Sequence, residues 1–308
     1  MKHFINLKDI EAKDLKKILK DAKKRKSKRK KLNTLDLDKG APLRGKILIQ
    51  MFEKPSLRTR LSFYLAIRQL GGGTITLRSN ELHIGKGGES LADTAKILST
   101  YGDGFMLRTD SDKKISEFVK HIKIPLINGL SPSSHPTQVL SDIFTIEEIK
   151  KKPISKLNIC WIGDSNNVLN SLIAASIKFS FKLKIGCPKN YKPKKSIINW
   201  VKKNKKILNI FNDPKEAVKN ADVVFSDKVI SLNDKVNIKK KTKEFKKFYI
   251  DSNLLKLAPK SIFLHCLPRG NEVSEKVFQG KRSHVWTQAS NRVHVQKSIL
   301  LYCFDKLR

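Results

Sequence analysis

The chain has 308 residues, 39% of them hydrophobic, which is enough for one large domain or two ordinary ones with a core each. Its 64 lysines and arginines against 28 acids leave a formal charge of +36. The lysines are spread over the whole length, so charge alone does not select a nucleic acid as partner. No run of about 18 apolar residues occurs, which excludes a membrane-spanning helix. The opening MKHFINLKDIEAKDLKKILKDAKK has no apolar signal core and carries Asp9, Glu11, Asp14 and Asp21, so a cytoplasmic protein is expected.

In chain order, apolar residues at helical spacing predict helices over 7–22, 57–70, 90–101, 136–150, 167–179, 194–204 and 287–304. Short apolar runs predict strands over 45–52, 73–77, 104–108, 124–127, 157–162, 182–187, 222–226, 247–250 and 261–265. This alternation predicts an α/β protein built on parallel sheets with helices on both faces. The charged, proline-containing segment IEEIKKKPISKL, 146–157, is the best boundary between two such domains. The basic run KKRKSKRKK, 23–31, reads as a solvated helix end and loop, because no aromatic residues interleave with it as single-strand binding would require. Cys160, Cys187, Cys266 and Cys303 are far apart and fit neither a disulfide framework nor zinc spacing.

Polar groups recur where strands hand over to helices. In FEKPSLRTR, 52–60, an apolar run ends in Pro55-Ser56 and a helix follows at once. Ser56 is a candidate N-cap, with Leu57, Arg58 and Thr59 in the first turn. Unsatisfied N–H groups and the helix dipole favour an anion there, and the Arg58 fork and Thr59 hydroxyl add donors. Arginine in a first turn opposes the dipole, so stability alone would not choose it. Arg108 ends a predicted strand. His135 and Gln138 flank Pro136 at the start of a helix and could donate to a carbonyl oxygen. His265-Cys266-Leu267-Pro268-Arg269 closes another strand. In LNICWIGDSNNVLNSLIAASIKF the turn from Gly163 to Asn167 lacks the spaced glycines of a dinucleotide site, which disfavours a dehydrogenase.

Taken in order, FEKPSLRTR, GESLADTAKILSTYGDGFMLRT, HPTQ, GDSNNVLNSL, ADVVFSDKVISLN, HCLPRG and NRVHVQKSIL resemble the aspartate/ornithine transcarbamoylase family, most closely its ornithine-using branch. The resemblance implies two doubly wound parallel-sheet domains with an interdomain active-site cleft. Residues 1–145 would bind carbamoyl phosphate, 146–285 would bind the amino acid, and 286–308 would form a helix packing back on the first domain. It implies transfer of the carbamoyl group to the δ-amine of L-ornithine, giving L-citrulline and phosphate in arginine metabolism. Neither a metal nor an organic cofactor is implied.

By matching positions, Ser56, Leu57, Arg58, Thr59, His83, Arg108, His135, Gln138 and Arg292 would bind carbamoyl phosphate. Asn167, Asp227, Ser231, Leu232, Cys266 and Leu267 would bind ornithine, with Arg108, His135 and Cys266 in catalytic roles. The loop LHIGKGGES, 82–90, would reach a neighbouring subunit's site in a homotrimer, bringing His83 and Lys86. The sequence departs from the family in three places. Leu57 replaces a threonine of the phosphate motif, Ser231-Leu232-Asn233 replaces Ser-Met-Gly, and the 82–90 loop has an extra glycine. The second change bears on acceptor identity, leaving aspartate or an acylated ornithine as alternatives. A basic nucleic-acid-binding protein would explain the charge but not the recurring donors at element ends.

Overall fold

The computed structural model describes residues 1–78, 88–204, 207–230 and 237–307. The chain forms two compact units, Met1–Phe144 together with Ser290–Arg308, and Thr145–Ala289.

The first unit opens with α1 (Ala12–Lys28), which buries Leu15, Ile18, Leu19 and Ala22 at helical spacing. Then follow β1 (Ile47–Phe52), α2 (Leu57–Gln69), β2 (Gly73–Arg78), α3 (Leu91–Tyr101), β3 (Gly104–Arg108), α4 (Asp112–His121), β4 (Leu126–Leu130) and α5 (Pro136–Lys150). The four strands are all parallel, in the order β2-β1-β3-β4. β1 lies inside the sheet, which is why ILIQMF is almost wholly buried rather than alternating. Ile49, Met51, Phe105, Leu107, Phe118 and Leu126 pack into one core cluster. A register shift after Leu107 sets Leu107 opposite Asn128 but Arg108 opposite Leu130. Gly129 is the extra residue of this bulge, and a Cβ there would lie 2.4 Å from Met106 Sδ. Such a bulge re-aims the side chain beside it, here Arg108.

The second unit contains β5 (Asn158–Ile162), α6 (Asn167–Lys178), β6 (Lys182–Gly186), α7 (Lys195–Lys203), β7 (Asn209–Phe211), α8 (Pro214–Val218), β8 (Val223–Ser226), α9 (Ile238–Phe245), α10 (Ser252–Lys256), β9 (Ile262–His265) and α11 (Glu275–Phe278). Its five strands are parallel in the order β7-β6-β5-β8-β9. Cys160, Ile162, Val224, Ile250, Leu254 and Phe263 belong to its core. The strand expected over 247–250 does not form. Lys246–Phe248 is a 3₁₀ turn, and Ile250 makes only an isolated bridge to Val273, too little pairing for a ladder.

The last helix, α12 (Val285–Cys303), contributes its residues from Ser290 onward to the first unit. It buries Val295, Ile299, Leu300 and Leu301, and also Lys297. Lys297 Nζ lies 3.0 Å from both carboxylate oxygens of Asp38. Arg29 reaches the same carboxylate at 2.8 Å, and Arg25 joins Asp21 at 2.8 Å to Asp38 at 3.3 Å. The basic run 23–31, expected from sequence to be a solvated helix end and loop, is therefore only partly so. Its two arginines at 25 and 29 are consumed in an internal ion network, while Lys24, Lys28, Lys30 and Lys31 stay outside it. All four cysteines are free thiols and buried. Among the described residues no helix is long and apolar enough to cross a membrane.

Candidate active site

Each sheet reverses its winding direction once, and the candidate residues gather at those points. In the first unit the reversal falls between β1 and β3, whose ends pair as Phe52 with Arg108. Ligand crevices of open parallel sheets form outside the carboxyl ends of strands at such a switch. Here β1 leads into α2 and β3 ends in Arg108. Ser56 takes the N-cap position of α2 in extended conformation, but its hydroxyl makes no capping bond. The first amides of α2 are thus not closed off by Ser56. Leu57 is exposed, whereas Thr59 is buried.

A hydrogen-bonded chain joins α2 to α5 and α12. Arg292 Nη2 donates to Thr59 Oγ1 at 2.8 Å, and Arg292 Nη1 donates to Gln138 Oε1. Gln138 Nε2 donates in turn to Asp142 Oδ1 at 2.7 Å. His135, just before Pro136 opens α5, is buried. Burial pushes its pKa well down, and the charges of Arg292, Arg108 and Arg58 push the same way. The imidazole is therefore neutral at physiological pH. Burial and the Arg58 charge also lower Arg108, to about 10, which leaves it cationic. Arg108 Nε has no hydrogen-bond partner among the described residues. The charges of three guanidinium groups thus act on one neutral imidazole, a field that favours an anion carrying a carbonyl.

In the second unit the winding reverses between β5 and β8. Gly163 leaves β5 with φ +145, and its open side faces Ser226 Oγ and the Asp227 carbonyl. Asn166 then caps α6, its Oδ1 accepting from the Val168 and Leu169 amides at 3.0 and 3.1 Å. Its Nδ2 donates to Asp227 Oδ2 at 2.7 Å. Asn167 is the first residue of α6. β8 and β9 pair Ser226 with His265, so Asp227 and Cys266 follow side by side at the ends of adjacent strands. The Cys266 N–H donates to the Ser226 carbonyl at 3.3 Å. Burial raises the Asp227 pKa above the ordinary carboxylate value, although His265, the Lys228 N–H and Asn166 work against that rise. Leu267 has φ +56.

The structure thus brings Thr59, Gln138 and Arg292 into one hydrogen-bonded chain, with Arg58, Arg108 and His135 as electrostatic neighbours. It brings Asn167, Asp227, Cys266 and Leu267 to one edge of the second sheet. His83, Lys86, Ser231, Leu232 and Asn233 lie outside the described residues. Sequence reasoning missed Asn166, for which an asparagine directly before a helical run was the available signal. It also missed Asp142, which sits one turn after Gln138. Among the described residues no group of three or more His, Cys, Asp or Glu side chains is arranged to hold a metal.

Two parallel α/β units, with anion-type donors at one switch point and a half-buried acid at the other, fit a transferase. Residues 2–148 match the carbamoyl-P binding domain of the aspartate/ornithine carbamoyltransferases, and residues 155–303 match the Asp/Orn binding domain of the same family. The chain belongs to that family of transferases. It is 40% identical over 308 residues to an ornithine carbamoyltransferase of Brucella suis biovar 1 (strain 1330), covering 99% of this chain and 96% of the relative. The ornithine carbamoyltransferase from Pyrococcus furiosus superposes with a TM-score of 0.89 at 36% identity, over 97% of this chain and 96% of that one. The anabolic ornithine carbamoyltransferase from Campylobacter jejuni gives 0.89 at 36% identity over 100% of both chains.

Proposed function

We propose that this enzyme is an ornithine carbamoyltransferase. It moves the carbamoyl group of carbamoyl phosphate to the δ-amine of L-ornithine and releases L-citrulline and phosphate. The observation that carries this reading is the gathering of Arg58, Arg108 and Arg292 around the neutral His135 in the unit that matches a carbamoyl-P binding domain. Ser56, Leu57, Arg58 and Thr59 hold the phosphate through the first turn of α2. Arg108, His135 and Gln138 hold the carbamoyl end, and Arg292 links the two sets through Thr59 and Gln138. Asn167, Asp227, Cys266 and Leu267 receive ornithine, with Ser231 and Leu232 assigned to the same task by position.

The chemistry follows from these placements. The δ-amine, with an unperturbed pKa of ~10.4, arrives as ammonium and must lose a proton before its lone pair attacks the carbonyl carbon. As the C–N bond forms, negative charge builds on the carbonyl oxygen, and fixed donors stabilise it. A neutral His135 donates there without giving up a proton. The C–O bond to phosphate then breaks, the extra proton on the new C–N nitrogen passes to the departing phosphate, and the arginines stabilise that anion. Asp227 recognises a cationic amino group, which favours ornithine over a dicarboxylate such as aspartate. The relative and the two solved structures named above all carry the name ornithine carbamoyltransferase, which supports the same acceptor.

We also assign carbamoyl phosphate to residues 1–145, ornithine to 146–285 and a homotrimer as the working form in the cytoplasm. Exposed apolar side chains on two helices support assembly. Leu57, Leu61 and Tyr64 line one face of α2, and Ile97 and Tyr101 one face of α3, all with more than two fifths of their surface open.

The test is to supply carbamoyl phosphate with ornithine, aspartate, N-acetylornithine or putrescine and measure ureido product. Strong product is expected only with ornithine, and turnover of aspartate instead would overturn the acceptor assignment. Arg58→Ala should abolish turnover and leave the thermal unfolding midpoint within a few degrees. A variant with near-normal rates would remove Arg58 from the phosphate site.

A further inference from the structure

The strap that follows β9 is held in place by a buried pair that the reaction itself does not use. His265 is fully enclosed, with the Phe278 ring edge-on at 6.1 Å. Its Nδ1 accepts from the Leu267 N–H at 2.9 Å, so the ring hydrogen sits on Nε2. That hydrogen points to Glu272 Oε1 at 3.1 Å. The same oxygen accepts from the Gly270 N–H at 2.7 Å, while Oε2 accepts from the Val229 N–H at 3.4 Å. The backbone of Glu272 is itself fixed, its carbonyl accepting from the Ile250 N–H at 2.9 Å. One carboxylate therefore ties two segments together: residues 265–270, which carry Cys266 and Leu267, and the loop after β8, which carries Asp227 two residues before Val229.

Two details show that the strap needs such a tie. Leu267 adopts φ +56, a conformation that a leucine keeps only when its surroundings impose it. A Cβ on Gly270 would lie 2.7 Å from Glu272 Oε2, so a side chain there would push the carboxylate away from the backbone. Burial alone would raise the Glu272 pKa, but the hydrogen bonds from His265 and Gly270 bring it below the ordinary value, so the carboxylate stays ionised.

We propose that Glu272, acting through His265, is a positioning residue for the ornithine half of the site, latching the Cys266–Leu267 strap to the Asp227 loop. This rests on the carbamoyl-transfer reading above. Glu272→Ala leaves the His265, Gly270 and Val229 donors without that acceptor, and the strap loses its register. Steady-state kinetics should show the KM for ornithine raised at least about tenfold, with the KM for carbamoyl phosphate within about twofold of wild type. Glu272→Gln keeps the shared acceptor oxygen and should restore part of the ornithine KM. Hydrogen exchange should quicken at the amides of Val229, Leu267 and Gly270 and stay unchanged along β5. An unchanged ornithine KM would overturn the latch, as would equal rises in both KM values with faster exchange throughout β5. A wild-type protein inactive on ornithine would instead defeat the carbamoyl-transfer reading, and the exchange pattern would then decide the latch by itself.

Discussion

His135 shows how one residue's surroundings set its chemical role. Enclosed and flanked by three arginines, it stays neutral far below the pH at which a free histidine charges. It can therefore donate a hydrogen bond to a developing oxyanion without acting as an acid. Removing one such donor typically costs about 10²–10³ in kcat. His135→Ala should show a loss of that size in stopped-time citrulline assays, with the KM for ornithine little changed. Asn166 is the second instructive residue, because it serves a helix and a site at once. Asn166→Ala should lower stability by about 1 kcal/mol through the lost cap of α6. It should also raise the ornithine KM, because Asp227 loses its 2.7 Å donor. An unfolding midpoint shift without a KM change would separate Asn166 from the site. Residues such as Arg58 and Arg108 were legible in the sequence because a cation in a helix's first turn or at the end of a buried strand has no stabilising reason to be there. Asn166 and Glu272 were not, because their meaning lies in partners 61 and 43 residues away.

At the scale of elements, the strands and the helices with a strong apolar face could be read directly. The core helices α2, α5 and α6 and the buried strands β1, β3, β5 and β9 declare themselves by continuous or periodic apolar residues. The elements that escaped are short or lysine-rich. α4 buries only Ile115 and Phe118 among charged neighbours, α8, α10 and α11 are one turn or little more, and β7 has three residues at the sheet edge. Propensity and periodicity are weak over such lengths, and tertiary contacts decide. The turn after β5 carries its own prediction. Gly163 holds φ +145, which strains any other residue even though a Cβ there would make only ordinary contacts, at 3.6–3.9 Å, with Ser226, Trp161 and Asp227. Gly163→Ala should cost about 1–3 kcal/mol in denaturant unfolding. Because the same turn carries Asn166, ornithine binding should weaken in step.

For the whole molecule, which carries a formal charge of +36, the enclosed cations depend on a buried carboxylate. Asp38 alone faces Lys297, Arg29 and Arg25. Burial would raise its pKa, but Lys297 and Arg29 hold it below the ordinary value. Asp38→Asn leaves those cations enclosed without a counter-charge and should cost about 3–5 kcal/mol. Acid should act earlier, through histidines. His294 is lowered to about 4 by burial and by Lys297, Lys26 and Arg29, and His135 is lowered too. Between the ordinary 6.5 and those values the unfolded chain binds more protons than the folded one, so stability falls as pH drops below about 6.5. Asp227, with its raised pKa, works in the opposite direction near pH 4. The denaturant midpoint should decline from pH 6.5 to 4, and His294→Asn should flatten part of that decline. Light scattering should report a trimer that Leu61→Glu breaks into smaller species.

The discontinuity of the first unit has a consequence for how the protein is made. Arg292 meets Thr59 across 233 positions of chain, and everything between them must be translated first. A nascent chain that has emerged only as far as Ala289 has every residue of the second unit, yet its first unit still lacks the guanidinium that joins Thr59 to Gln138. During synthesis the later lobe can mature before the earlier one, the reverse of the usual amino-terminal-first order.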